Sequence, residues 1–156
     1  VSLGAQTTDL AILRSGVLAF TRSISAGGEA ISRAVAQGLE FNLTQAEEFK
    51  KTYGVEGDKL EGKIVAATKP VMDTIVAEMK RAITFYQEKY KNEQVETVLL
   101  SGGTARLPGI IVFIAGEMEM EAQLANPWIG IAKDPRFAVL DSEGSVFTVA
   151  VGLALR

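Results

Sequence analysis

The sequence has 156 residues, 47% of them hydrophobic, with 16 basic and 19 acidic side chains and neither histidine nor cysteine. The two absences exclude a histidine general base, a Ser-His-Asp triad, a thiolate nucleophile, a zinc site of those ligands and any disulfide. The net charge of −3 leaves no concentrated basic stripe, so no nucleic-acid partner is expected.

Chemistry therefore falls to carboxylates, hydroxyls, lysine, backbone amides or a bound metal. A chain of this length buries roughly 70% of the surface its unfolded form exposes, enough for one core and for two lobes. It has no run of about 18 apolar residues and no basic segment leading into an apolar one, so a cytoplasmic domain is expected. Val1 already lies in a strand-like pattern, and the chain is expected to be a fragment of a longer one.

Three β-rich runs come first: VSLGA, TDLAIL and VLAFTRSI, the last two joined by a short hairpin at Arg14-Ser15-Gly16. In AGGEAISRAVAQGLEF the period changes: Ile31, Val35 and Leu39 recur every four residues, with Gly38 as the expected stop. LTQAEEFKKTYG reads as a second helix, capped by Thr44 with Glu47 completing a capping box, and stopped by Gly54. A polar linker, VEGDKLEGK, leads to the longest helical pattern, from Ile64 to Lys91. Its apolar stripe is Met72, Ile75, Met79, Ile83, Tyr86 and Tyr90, and Pro70 is tolerable near its start or at a kink.

VETVLL at 95–100 is again a strand, and it runs through the glycine-rich turn SGGTARLPG into a helix, IIVFIAGEM. MEAQLAN reads as a short strand, NPWIGIAKDPRF as a loop and SVFTVAVGLALR as a closing apolar helix. Strands alternating with helices around a mainly helical insert predict an α/β fold.

Four short features carry chemical interest, each beside a plainer explanation. In LGAQTTD, residues 3–9, a glycine permits close backbone approach, and amides with the Thr7 and Thr8 hydroxyls can cradle a phosphate; the same residues also suit a polar turn. In SAGGEA, Gly27 and Gly28 open a helix whose free N–H groups attract anions, or they simply make a sharp bend; on their own the bend is preferred. In AEEFK, Glu47 and Lys50 share one helix face and can bond vicinal hydroxyls; spacing alone favours the cap and a Glu47–Lys51 pair. In LLSGGTARLPG, Gly102 and Gly103 leave backbone bare enough for a flat ring or a phosphate to lie on it. This last turn has neither the Walker A ending nor the dinucleotide-binding pattern.

Taken in order, these segments resemble the second half of actin-like ATPases of the FtsA group, and within that group the PilM family of type IV pilus assembly proteins. FTRSI, AEEFKKTYG, SGGTARLPG, NPW and VAVGLALR carry the likeness over nearly the whole chain. The resemblance implies an actin-like, ribonuclease H-like lobe. Residues 1–43 and 95–144 would form one α/β subdomain, 44–94 an inserted helical subdomain, and 145–156 a helix packing toward a first lobe upstream of Val1.

It further implies ATP or ADP as ligand. Gly4, Ala5, Gln6, Thr7 and Thr8 would form the second phosphate loop, and Gly27 and Gly28 would lie near the sugar-phosphate. Glu47 and Lys50 would reach the ribose and adenine edge, and Gly102, Gly103 and Thr104 would form the adenosine floor. The family has an aspartate two residues before the loop glycine, where this chain has Ser2, so Mg2+ binding and hydrolysis should be weakened. The implied partners are the N-terminal cytoplasmic tail of PilN, docked through the first lobe, and other inner-membrane platform proteins of the pilus machine. Membrane association would be indirect, and ATP would act more as a conformational ligand than as fuel. Alternatives within the superfamily are an FtsA-like division scaffold and a sugar-kinase-type phosphotransferase, though neither a sugar pocket nor a catalytic aspartate is evident beyond Asp9.

Overall fold

A computed structural model describes residues 1–57, 59–91, 93–132 and 134–155. Strands β1 (Ser2–Leu3), β2 (Thr8–Arg14) and β3 (Val17–Ile24) form an antiparallel meander, and β4 (Thr97–Leu100) pairs in parallel with β5 (Glu121–Leu124). A parallel bridge between Ser2 and Ser101 joins the two sets, with Leu3 N–H donating to the Ser101 carbonyl at 2.7 Å and Ser101 N–H to that of Val1 at 2.8 Å. The order across is therefore β3-β2-β1-β4-β5. The hairpin lies where the sequence places it: Ser15 and Gly16, at φ 49° and 78°, are the two central residues between Arg14 and Val17.

Among the described residues, five α-helices are interspersed with the strands: α1 (Gly28–Leu39), α2 (Leu43–Tyr53), α3 (Lys63–Lys89), α4 (Ile110–Met118) and α5 (Gly144–Ala154). The apolar stripe of α3 is realised, with Met72, Ile75, Met79, Ile83 and Tyr86 buried and Tyr90 partly so. They meet Leu3, Leu10, Leu100, Ile110 and Ile114 in the main core. Pro70 lies within α3, two turns from its start. Of the sequence-read segments, Asp58 in the linker, Asn92 after the long helix, Lys133 in the loop and the terminal Arg156 lie outside the described residues. Among the described residues, no helix is long and apolar enough to cross a membrane.

Two helix boundaries differ from the sequence reading. Gly38 does not stop α1, which continues to Leu39 and ends at Glu40 in the left-handed region, φ 53°. Gly38 is bare because α1 and α3 are in contact there: a Cβ on it would lie 2.8 Å from that of Ala67. Thr44 does not cap α2 and Glu47 is not its capping-box partner. Asn42 accepts from Gln45 N–H at 2.9 Å and Gln45 returns the bond to Asn42 N–H, so the box sits two residues earlier and Glu47 is released for other work.

Gly54 ends α2 as expected and also seats it. Its φ of 55° and ψ of −128° belong to a region only glycine occupies freely, and a Cβ would fall 2.1 Å from the Pro108 carbonyl oxygen. That carbonyl takes the next N–H, from Val55, at 2.9 Å. Along α2, Phe49 and Tyr53 join Phe41 in packing over a second small core of Val35, Ala46 and Ile64. Helix α2 is thereby held between α1 and the turn after β4. Gly54→Ala should cost roughly 2–4 kcal/mol, from strain and collision together. Urea unfolding of wild type and variant measures it, and a change within a few tenths would contradict this close contact.

Candidate functional site

Three glycine-containing turns converge at one end of the sheet, and a single carbonyl oxygen joins them. Gly4, in the turn after β1, accepts Gly28 N–H from the start of α1 at 2.9 Å and the Thr104 hydroxyl, from the turn after β4, at 3.1 Å. Glu29 N–H adds a second bond, to the Ala5 carbonyl at 2.8 Å. The crowding explains the glycines: a Cβ on Gly27 would sit 2.7 Å from the Ala5 oxygen, and one on Gly28 would sit 2.5 Å from the Thr104 Oγ1.

Beside this junction opens a cleft of about 680 Å3, within the usual range for a small-molecule or cofactor site. Gly4, Ala5, Gly28, Glu47, Lys50, Gly103 and Thr104, all singled out from the sequence, line it. Glu29, Lys51, Arg106 and Leu107 line it as well and were not singled out, although Arg106 and Leu107 stand in the same SGGTARLPG motif.

Gln6, Thr7, Thr8, Gly27 and Gly102 do not reach the wall. Thr8 points inward: it is fully buried, and its hydroxyl donates to the Ala26 carbonyl at 2.7 Å, pinning the approach to α1 against β2. The Thr7 hydroxyl donates to Asp9 at 3.0 Å, and Gly4 N–H is spent on the Thr7 carbonyl at 2.9 Å. The N–H groups of Gly28 and Glu29 are likewise taken by the turn carbonyls, so the opening of α1 offers them to Gly4 and Ala5 rather than to an anion. Among the described residues, the exposed Ala5 and Gln6 N–H groups have no protein acceptor.

The two glycines after β4 divide their duties. Gly102, at φ 87°, is bare because a Cβ would lie 2.5 Å from the Leu3 carbonyl oxygen, and its N–H donates to Ser145 at 2.8 Å. Gly103 is exposed on the cleft wall, and a Cβ there would meet no protein atom within 4 Å. It leaves open the space a ligand would use.

On the α2 side a buried lysine is fully paired. Lys50 Nζ reaches the Gly28 carbonyl at 3.0 Å, Ser32 Oγ at 2.8 Å and Glu47 Oε2 at 2.7 Å, three acceptors for three N–H bonds. A cation at a helix N-terminus opposes the helix dipole, and the Glu47 carboxylate offsets that cost. Ser32, one turn into α1, donates to the same carboxylate oxygen, and Lys51 lies 3.3 Å from the other. Ser32 was missed from the sequence because its partners are 15 and 18 residues away.

Burial alone would raise the Glu47 pKa. The bonds from Lys50 and Ser32 outweigh it and bring the group from its ordinary 4.5 to about 2. A carboxyl whose pKa falls on folding contributes stability that is complete above about pH 4.5 and lost as pH falls through 2. Glu47→Gln should therefore flatten the acid limb of the stability curve between those values, leaving the slope above pH 5 unchanged. Denaturant midpoints across that range test it, and an unaltered acid limb would refute the assignment.

Among the described residues, no group of three or more aspartates and glutamates gathers as a metal site. Ser2 lies in β1, opposite Asp9 of β2.

The sheet order, the crossover helices and a cleft at the turns after β1 and β4 define an actin-like ATPase fold. MreB5 of Spiroplasma citri bound to AMPPNP superposes with a TM-score of 0.70 over 99% of this chain and 50% of that one, at 16% identity, a likeness of fold alone. The family model for type IV pilus assembly protein PilM matches residues 1–156, and the chain belongs to that family. A PilM-PilN type IV pilus biogenesis complex matches with a TM-score of 0.81 at 30% identity, over 99% of this chain and 44% of that one. The cell division protein FtsA of Bacillus subtilis is 24% identical over 88% of this chain and 35% of its own length. The chain thus spans about a third of FtsA and less than half of the PilM chain.

Proposed function

We propose that this chain is the nucleotide-binding lobe of an actin-like ATP-binding scaffold that serves type IV pilus assembly at the cytoplasmic face of the inner membrane. The observation that carries the proposal is the cleft itself. Three glycine-containing turns and the Glu47–Lys50 pair, distant in sequence, line one space of cofactor size. Its donor set suits ATP or ADP: an open amide at Ala5 for phosphate oxygens, a carboxylate for ribose hydroxyls, and a bare backbone at Gly103 for a flat ring. With Thr7 and Thr8 bonded elsewhere, phosphate binding rests on backbone amides rather than on threonine hydroxyls.

In this reading residues 1–43 and 95–144 are the nucleotide-binding subdomain, 44–94 the helical insert and 145–156 the helix turned toward a first lobe. The exposed Val149, Leu153 and Leu155 of that last segment suit such a neighbour. Mg2+ would travel with the phosphates; Ser2 offers a hydroxyl where the family has a carboxylate, so hydrolysis is slow and nucleotide acts as a conformational ligand. The partner in this reading is the cytoplasmic tail of a PilN-like protein, which gives the scaffold its place at the membrane, together with other platform proteins and a role in twitching motility.

Gly103→Leu should fill the cleft without disturbing the fold, because the site has room for a side chain and its backbone is not left-handed. ATP affinity should fall at least about tenfold with Tm within about 2 °C of wild type. Calorimetry and thermal unfolding report both, and unchanged affinity would remove the nucleotide from this cleft. In the intact protein, saturating ATP should shift the affinity for the PilN tail; an affinity indifferent to nucleotide would end the conformational-ligand reading.

A further inference from the structure

The first turn of α1 gives its N–H groups to loop carbonyls, and those carbonyls decide which amide the cleft receives. Gly28 N–H donates to the Gly4 carbonyl at 2.9 Å and Glu29 N–H to that of Ala5 at 2.8 Å. The Gly4 carbonyl and the Ala5 N–H belong to one planar trans peptide, in which C=O and N–H point in opposite directions. With the oxygen drawn into the junction, the Ala5 N–H is directed away from it. Ala5 is exposed and lines the cleft, and among the described residues its N–H has no protein acceptor.

Thr104 supplies the second hold on that oxygen. Its hydroxyl donates to the Gly4 carbonyl at 3.1 Å, and the residue is only 8% exposed. One donor would let the peptide plane pivot about a single bond; two donors from different segments fix it. They also polarise the peptide, which strengthens the N–H at its far end. Both sides of this hold are set before a ligand arrives. Thr104 is β-branched and stiff at χ1, and its turn is fastened by Gly102 N–H, which donates to the Ser145 carbonyl at 2.8 Å. Gly4 N–H donates to the Thr7 carbonyl at 2.9 Å and closes the loop from within. A hydroxyl has one proton, and Thr104 gives it to Gly4; toward a ligand it can then only accept, which an ionised phosphate oxygen cannot use.

We propose that Thr104 is a positioning residue for phosphate binding: by holding the Gly4 carbonyl it aims the Ala5 N–H at a phosphate oxygen of the bound nucleotide. The residue that the family resemblance places in the adenosine floor thus acts on the other end of the ligand, and ties the turn after β4 to the phosphate loop. The proposal rests on the nucleotide reading of the cleft, and its test separates the two.

ATP is titrated by calorimetry into the intact protein as wild type, Thr104→Val, Thr104→Ser and Gly103→Leu, with thermal unfolding of each and the Ala5 amide resonance followed by NMR. Valine keeps the shape of threonine and removes the donor, so ATP affinity should fall about fivefold. Serine keeps the hydroxyl and should stay within about twofold of wild type. ATP should move the Ala5 resonance in wild type and in Thr104→Ser, and by less in Thr104→Val at saturation. Thr104→Ala, which also lacks the donor, replaces Thr104→Val if the latter does not fold. Unchanged affinity without the hydroxyl, equal losses for valine and serine, or an Ala5 amide that bound ATP leaves unmoved in wild type would overturn the role of Thr104. If Gly103→Leu abolishes ATP binding while Thr104→Val binds normally, this inference alone fails. If wild type binds no ATP, or if Gly103→Leu leaves ATP binding intact, the nucleotide reading of the cleft fails with it.

Discussion

The carbonyl oxygen of Gly4 is the point on which this site depends. It takes one hydrogen bond from the first turn of α1 and another from the hydroxyl of Thr104, so three segments separated by 24 and 100 residues meet within a few ångströms. A carbonyl with two donors has both lone pairs used, and breaking either bond would leave a donor of the buried Gly28 or Thr104 without its partner. The convergence also decides which residues are tolerated: Gly27 and Gly28 have no space for a Cβ because that carbonyl and its neighbours occupy it. The cleft is the space left beside the junction.

Helix α2 forms the second wall, and it is positioned by contacts of a different kind. Asn42 and Gln45 set its beginning, aromatic packing holds it over the small core of Val35, Ala46 and Ile64, and the absence of a side chain at Gly54 lets its end touch Pro108. Lys50 then reaches from α2 to the opening of α1 and is charge-balanced by Glu47, itself shared with Ser32. In the proposed reading, ribose recognition and the attachment of α2 to α1 would draw on the same carboxylate, whose second oxygen has the exposed Lys51 as its partner among the described residues. One side chain can serve both because its two oxygens face different neighbours.

Much of the fold was legible in the sequence. The β-rich runs of β2 and β3, the Ser15-Gly16 turn, the stripe from Met72 to Tyr86 and the glycine stop at Gly54 are local signals, and the structure follows each. The readings that failed were those in which two local explanations competed. Gly38 looked like a helix stop and is a helix–helix contact; Thr44 looked like a cap and yielded to Asn42. Glycine has several uses, and which of them applies depends on what lies across from it.

The sequence by itself determined the elements, the family and the pool of groups from which a cleft could be built, because periodicity, turn chemistry and motif order are written along the chain. Tertiary structure alone decided which of those groups face the cleft. Thr8 and Gly102 are turned into the fold by Ala26 and Leu3, Gly103 is left bare on the wall, and Thr104 gives its hydroxyl to a carbonyl 100 residues away. Orientation is a property of neighbours, and neighbours brought together by the fold leave no local mark in the sequence.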